Sequence, residues 1–239
     1  MEKNISIQQK IKQFIEEKPA GEIFRYKDLP FQGKELTAVS KSLSRFSKKG
    51  IVRRLRKGMY YKPKQTIFGE LGPGENEIIN AFTVNEKSII GYRTGLSEFN
   101  RLGLTTQVPN EILIKVQGNK RNTKIGNLRI KYTGFKQNIR ESDIDKLQIL
   151  DAIKNLKKIP DTGINNSIVL ITSLIEAYSL KDKYRLLLLS KKYNAQTRAL
   201  LGAIFELKGL TELSKILQNT LNPLRSEEHT SELQSPNTI

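Results

Sequence analysis

Between Leu36 and Lys62 the apolar period of the chain changes once, and that change restricts the fold more than any other feature. Leu36, Val39, Leu43 and Phe46 recur at three- and four-residue spacing, which predicts one face of a helix running from about Leu36 to Lys49. Gly50 is its natural C-terminal cap. The next stretch, Ile51-Val-Arg-Arg-Leu-Arg-Lys-Gly-Met-Tyr-Tyr-Lys62, holds two short β-prone runs flanking Arg56-Lys57-Gly58. Gly58 can take the positive φ of a tight hairpin, and Pro63 closes the element. Upstream, Ile7, Ile11, Phe14 and Ile15 form one face of a first helix, which Pro19 and Gly21 end. Ile23-Phe24-Arg25-Tyr26 reads as a short strand. Lys27–Leu29 begins a brief second helix, broken at Pro30 and Gly33. Helix, strand, helix, helix, hairpin is the order of a winged helix-turn-helix, here over residues 1–66.

The text beyond has a different character. Residues 67–76 hold three Gly and one Pro and read as a linker. Gly69, Gly72 and Gly74 have GxxGxG spacing, but no strand leads into them and no Lys-Ser/Thr follows, so a hinge is expected rather than a phosphate loop. Residues 77–224 read as a mixed α/β domain. Helices are expected at Glu77–Thr83 and Gly95–Leu102, and strands at Ile112–Val116 and Leu128–Tyr132, joined by a basic loop around 119–124. From Asp143 the pattern is helical: Asp143–Lys158, Ser167–Ser179, Lys183–Lys191, Ala195–Leu207 and Thr211–Gln218. The expected class is α+β, with a winged helix followed by a mixed domain that is helical in its C-terminal part.

Charge points to a partner. Lys and Arg number 41 against 24 Asp and Glu, a formal net charge of +17. Residues 1–66 alone carry 17 cations against six acids, a net of +11. There is no Cys, hence no disulfide framework, zinc ribbon or thiol nucleophile, which suits a reducing compartment. No leader is evident, and no apolar run approaches the roughly 18 residues a membrane span needs. A cytoplasmic protein with a polyanionic partner is expected.

On the helix after Leu36, the residues Thr37, Ser40, Lys41, Ser44, Arg45 and Lys48 lie opposite the apolar face. Hydroxyl and cationic groups of this kind contact phosphates and base edges in a major groove. The hairpin adds Arg53, Arg54, Arg56 and Lys57, placed as a wing beside the backbone or in a minor groove. Arg45 and Lys41 are the candidates for base readout, while Lys48, Arg54, Arg56 and Lys57 supply salt-dependent affinity. A solvated basic face would account for the charge, but not for its coincidence with the hydroxyls and the order of elements. Double-stranded DNA is the expected partner.

Catalysis has little to work with. The one histidine, His229, cannot build a His-rich metal site. Glu111 and Lys115 have the wrong spacing for a nuclease carboxylate–lysine site. Glu141, Asp143 and Asp145 resemble metal ligands, yet acids are also favoured at a helix N-terminus by the backbone dipole. No catalytic residue, metal site or cofactor is predicted. The rival readings are a ligand-responsive winged-helix regulator and, further off, a metal-dependent nuclease using those acids.

Four blocks carry a family resemblance: Phe24-Arg-Tyr-Lys-Asp-Leu29, Ala38-Val-Ser-Lys-Ser-Leu-Ser-Arg-Phe-Ser-Lys-Lys-Gly-Ile51, Arg54-Leu-Arg-Lys-Gly-Met-Tyr-Tyr-Lys-Pro63 and Leu102-Gly-Leu-Thr-Thr-Gln-Val-Pro109. Together they resemble the antitoxins of the abortive-infection E (AbiE) type IV toxin–antitoxin systems of bacteria. That resemblance implies an N-terminal winged helix that binds inverted repeats of operator DNA and represses its own operon. It also implies a C-terminal domain that counters a nucleotidyltransferase-like toxin without requiring a stable complex with it. The last residues read differently. Arg225–Ser235 resemble the conceptual translation of a common sequencing adapter beginning AGATCGGAAGAGC, so residues 225–239, His229 among them, are expected to be non-native. Without that segment the net charge is +19.

Overall fold

In a computed structural model of the chain, residues 6–85, 88–118, 120–135 and 138–221 are described. The chain forms two compact units, residues 1–92 with 114–138, and residues 93–113 with 139–239. The first unit begins with helix α1 (Ile7–Glu17), strand β1 (Ile23–Arg25) and a 3-10 turn at Tyr26–Asp28. Helix α2 (Glu35–Lys48) and strands β2 (Arg53–Arg56) and β3 (Met59–Tyr61) follow. Ser6 and Gln9 cap α1 reciprocally: the Ser6 hydroxyl accepts the Gln9 N–H, and the Gln9 side chain accepts the Ser6 N–H at 3.0 Å. In the sheet, β3 lies between β1 and β2 and is antiparallel to both. Ile11 and Ile15 of α1, Val39, Leu43 and Phe46 of α2, and Phe24, Val52 and Tyr60 share one buried core. Phe24 meets Phe14 edge-on at 5.6 Å and stacks on Tyr60 at 6.2 Å. This is the winged-helix order read from the sequence. Its second helix is reduced to the 3-10 turn, since Pro30 and Gly33 leave no room for a longer one.

The stretch expected to be a linker is structured. Strands β4 (Lys64–Thr66) and β5 (Gly69–Leu71) form a hairpin, and Gly74 is the N-cap of helix α3 (Glu75–Thr83). Gly69 sits at φ +107°, so two of the three glycines, Gly69 and Gly74, serve a tight turn and a helix start. The chain therefore does not divide at 67–76. Helix α3 belongs to the first unit, and its C-terminal end is held by cations. The Arg25 guanidinium donates to the carbonyls of Ala81 and Val84, and the Lys120 ammonium reaches that of Phe82 at 3.4 Å. These are carbonyls a helix leaves unpaired at its end, where positive charge is favoured. Burial and the neighbouring Arg25 and Arg56 lower the pKa of Lys120.

Two very short strands, β6 (Val84–Asn85) and β7 (Ser88–Ile89), make a further hairpin. Strands β8 (Gly91–Thr94), β9 (Glu111–Gln117), β10 (Thr123–Ile125) and β11 (Leu128–Phe135) form a sheet in the order β10-β11-β9-β8. Part of the expected basic loop is thus strand β10, which pairs antiparallel with β11. Gly91 sits against the backbone of β9, where a Cβ would lie 2.5 Å from the Lys115 carbonyl.

In the second unit, helix α4 (Leu96–Arg101) carries Glu98, whose side chain is fully buried. Glu98 accepts from Arg93 Nε at 2.8 Å and Arg101 Nε at 2.9 Å. Gly103, at φ +75°, follows the helix end, and the Thr105, Thr106 and Gln107 side chains all donate to the Asp161 carboxylate at 3.2 Å. The C-terminal part is helical: α5 (Ile144–Lys154), α6 (Ile164–Glu176), α7 (Leu180–Ser190), α8 (Ala195–Leu207) and α9 (Thr211–Gln218). The single helix expected over Asp143–Lys158 is α5 with a 3-10 turn on each side, Glu141–Asp143 and Leu156–Lys158. Among the described residues no helix is long and apolar enough to cross a membrane. The adapter-like segment 225–239, with His229, lies outside the described residues.

Candidate nucleic-acid interface

Burying Val39, Leu43 and Phe46 fixes the rotation of α2, so its polar stripe must face outward. Thr37, Ser40, Lys41, Ser44, Arg45 and Lys48 are all exposed. The β2–β3 hairpin stands beside the first turns of this helix. Between them runs a groove of about 590 Å³, lined by Thr37, Ser40 and Lys41 from α2 and by Arg54 and Lys57 from the hairpin. Tyr26, Leu36, Gly58 and Tyr60 complete its wall. Ser44, Arg45 and Lys48 continue the same helix face but do not line the groove.

Gly58 sets the fit of wing to body. It has φ +77°, and its carbonyl accepts the Tyr26 N–H at 3.2 Å. A Cβ there would come within 2.9 Å of the Tyr26 ring. Tyr26 is 43% exposed and is a groove residue that sequence reasoning passed over. The signal for it was an aromatic next to Lys27 in the turn that leads toward α2, which is where an amphipathic contact to a phosphate or a sugar would sit.

The four wing cations are not equivalent. Arg53 is gripped by Glu70 of β5, with Nε to one carboxylate oxygen at 2.7 Å and a terminal nitrogen to the other at 2.9 Å. Glu70 raises the pKa of Arg53, chiefly through this hydrogen bond. In turn Arg53, with Gln65, holds Glu70 below the usual carboxylate range. The Arg56 guanidinium lies over the Phe82 ring of α3 at 5.3 Å. Arg53 and Arg56, expected from the sequence as wing cations, are thus each engaged by a protein partner. Arg54 and Lys57 are exposed and face the groove.

Two of the acids weighed as metal ligands, Asp143 and Asp145, lie in separate ion pairs. Asp143 is clasped by Arg185 through two hydrogen bonds, Nε at 2.8 Å among them. That contact is the main reason its pKa is lowered. Asp145 pairs with Lys146 at 3.3 Å, while Glu141 is exposed. The Lys115 ammonium lies 5.8 Å from the rings of Tyr92 and Phe135. Among the described residues, no group of three or more His, Cys, Asp or Glu side chains is arranged to hold a metal ion.

The sequence from within α1 to the N-cap of α7, residues 10–179, matches the model of a family described as a family of unknown function (DUF6088), and the chain belongs to that family. No curated protein matches it. Among solved structures, the chain is similar to the crystal structure of the RV2827C protein from Mycobacterium tuberculosis. The two share 12% sequence identity at a TM-score of 0.49, over 89% of this chain and 80% of that one.

Proposed function

We propose that the protein is a double-stranded DNA-binding autorepressor whose first unit grips operator DNA through α2 and the β2–β3 wing. In this reading α2 enters the major groove, Lys41 and Arg45 approach base edges, and Arg54 and Lys57 hold the flanking phosphates. The observation that carries the reading is the groove where Thr37, Ser40 and Lys41 meet Arg54 and Lys57 on the most basic part of the chain. Hydroxyls and cations on two separate elements are then offered to one ligand, as a polyanion with a regular phosphate spacing requires.

The resemblance of the four sequence blocks to the AbiE antitoxins supports a wider role for the same protein. In that role the second unit counters a nucleotidyltransferase-like toxin made from an adjacent gene, in the bacterial cytoplasm and with no catalytic step of its own. Two measurements test the proposal. A gel shift with the DNA upstream of the gene should show a complex that Arg54→Ala with Lys57→Ala weakens, and an unshifted fragment would refute the DNA-binding role. Co-expression with the neighbouring gene should restore growth that this gene alone arrests. Repression without rescue would leave the ligand-responsive regulator as the better account.

A further inference from the structure

The hairpin directly after the wing ends in two apolar side chains that no described residue covers. Ile67 and Phe68 are each 92% exposed. A loose loop could hide such residues from water, but this tip is fixed. The Thr66 hydroxyl donates to the Gly69 carbonyl at 2.8 Å and accepts the Phe68 N–H at 3.2 Å. The strands below the tip are paired in register, Gln65 with Glu70 and Thr66 with Gly69. The hairpin is also pinned sideways. Glu70 holds Arg53 with two hydrogen bonds, and the Gln65 amide donates to the same carboxylate at 3.1 Å. Arg53 belongs to β2, on whose opposite face the next residue, Arg54, lines the groove.

We propose that Ile67 and Phe68 form an apolar wedge that enters the minor groove of the bound duplex and packs against partly unstacked bases. The inference rests on the DNA-binding reading above and adds a second contact of a different chemistry. Duplex DNA fits this tip better than a second copy of the chain, for reasons of charge. The hairpin's one carboxylate, Glu70, is neutralised by Arg53, while Lys64 begins its first strand and Lys62 lies two residues before. A surface with net +11 over residues 1–66 repels its own copy and attracts phosphate. Apolar side chains carried by a basic scaffold are the means by which proteins pry open base steps.

The chain has no Trp, so Phe68→Trp in the full-length protein places a single reporter at the tip. A mixed-sequence duplex of about 30 base pairs should quench its emission and shield it from acrylamide, as stacking on bases does. Leu207→Trp, on an exposed position of α8, should respond to neither. Ile67→Ala with Phe68→Ala should bind the same duplex about tenfold more weakly, with an unchanged dependence on salt, because an apolar tip displaces no counterion. If the duplex binds but the reporter and the double variant's affinity do not change, the wedge is refuted and the DNA-binding reading stands. A reporter that responds to protein concentration without DNA overturns the wedge in favour of self-association. Absence of any duplex binding by the wild-type chain refutes the reading beneath it.

Discussion

Gly58 joins the wing to the turn that precedes α2, and any side chain there would be strained. Its φ of +77° is costly for any side chain, and the Tyr26 ring occupies the space a Cβ would need. Gly58→Ala should cost about 1–3 kcal/mol, read as a lower urea midpoint. The neighbouring cations should separate by salt dependence. Arg54→Ala should reduce the slope of log affinity against log salt by about 1, as removal of one phosphate-binding cation does. Removing the ion pair whole, Arg53→Ala with Glu70→Ala, should leave that slope unchanged, because the pair carries no net charge. The sequence showed which α2 residues face outward, since the buried Val39, Leu43 and Phe46 dictate it. It could not show who pairs with Arg53, because Glu70 lies 17 residues away on an element with no apolar period.

Helices long enough to show a period were visible in the sequence, and α8 and α9 have the expected bounds, Ala195–Leu207 and Thr211–Gln218. Most strands of two or three residues were not, because so short a run repeats nothing; β1 and β3 were legible only from the β-prone residues and turn signals around them. That is why β4 to β7 were missed and why the glycines of 69–74 were read as linker. Buried charge is equally hidden. Glu98 looks like an ordinary helix-surface acid by spacing, yet it is fully buried between Arg93 and Arg101. It holds α4 to the strand before it, and Glu98→Ala strands the largely buried Arg93 without this carboxylate. That substitution should destabilise the second unit by about 3–5 kcal/mol in urea unfolding, and Glu98→Gln should cost less.

Across the whole molecule, the chain divides its labour by charge and by chemistry. Over half of the net charge of +17 lies in residues 1–66, which hold the groove, whereas the second unit carries buried ion pairs at Glu98 and Asp143. Those pairs make its stability sensitive to acid. Arg185, through its hydrogen bonds, holds the Asp143 carboxyl below the ordinary aspartate value of 3.8. A carboxyl whose pKa is depressed by folding stabilises fully above the unfolded value and loses that contribution as pH falls through the folded one. The urea midpoint of the wild-type protein should therefore drop as pH falls below about 4, and Asp143→Asn should start lower at neutral pH and drop less. The central claim, that α2 and the wing form one DNA-binding surface, is tested most directly by fluorescence anisotropy of a labelled duplex across a salt series. Wild type should bind with a steep negative slope, and the variant carrying Lys48→Ala on α2 with Arg54→Ala and Lys57→Ala on the wing should be shallower by about 3, one for each cation removed from the phosphates. Parallel slopes for the two proteins, or no binding by wild type at low salt, would show that α2 and the wing are not a DNA-binding surface.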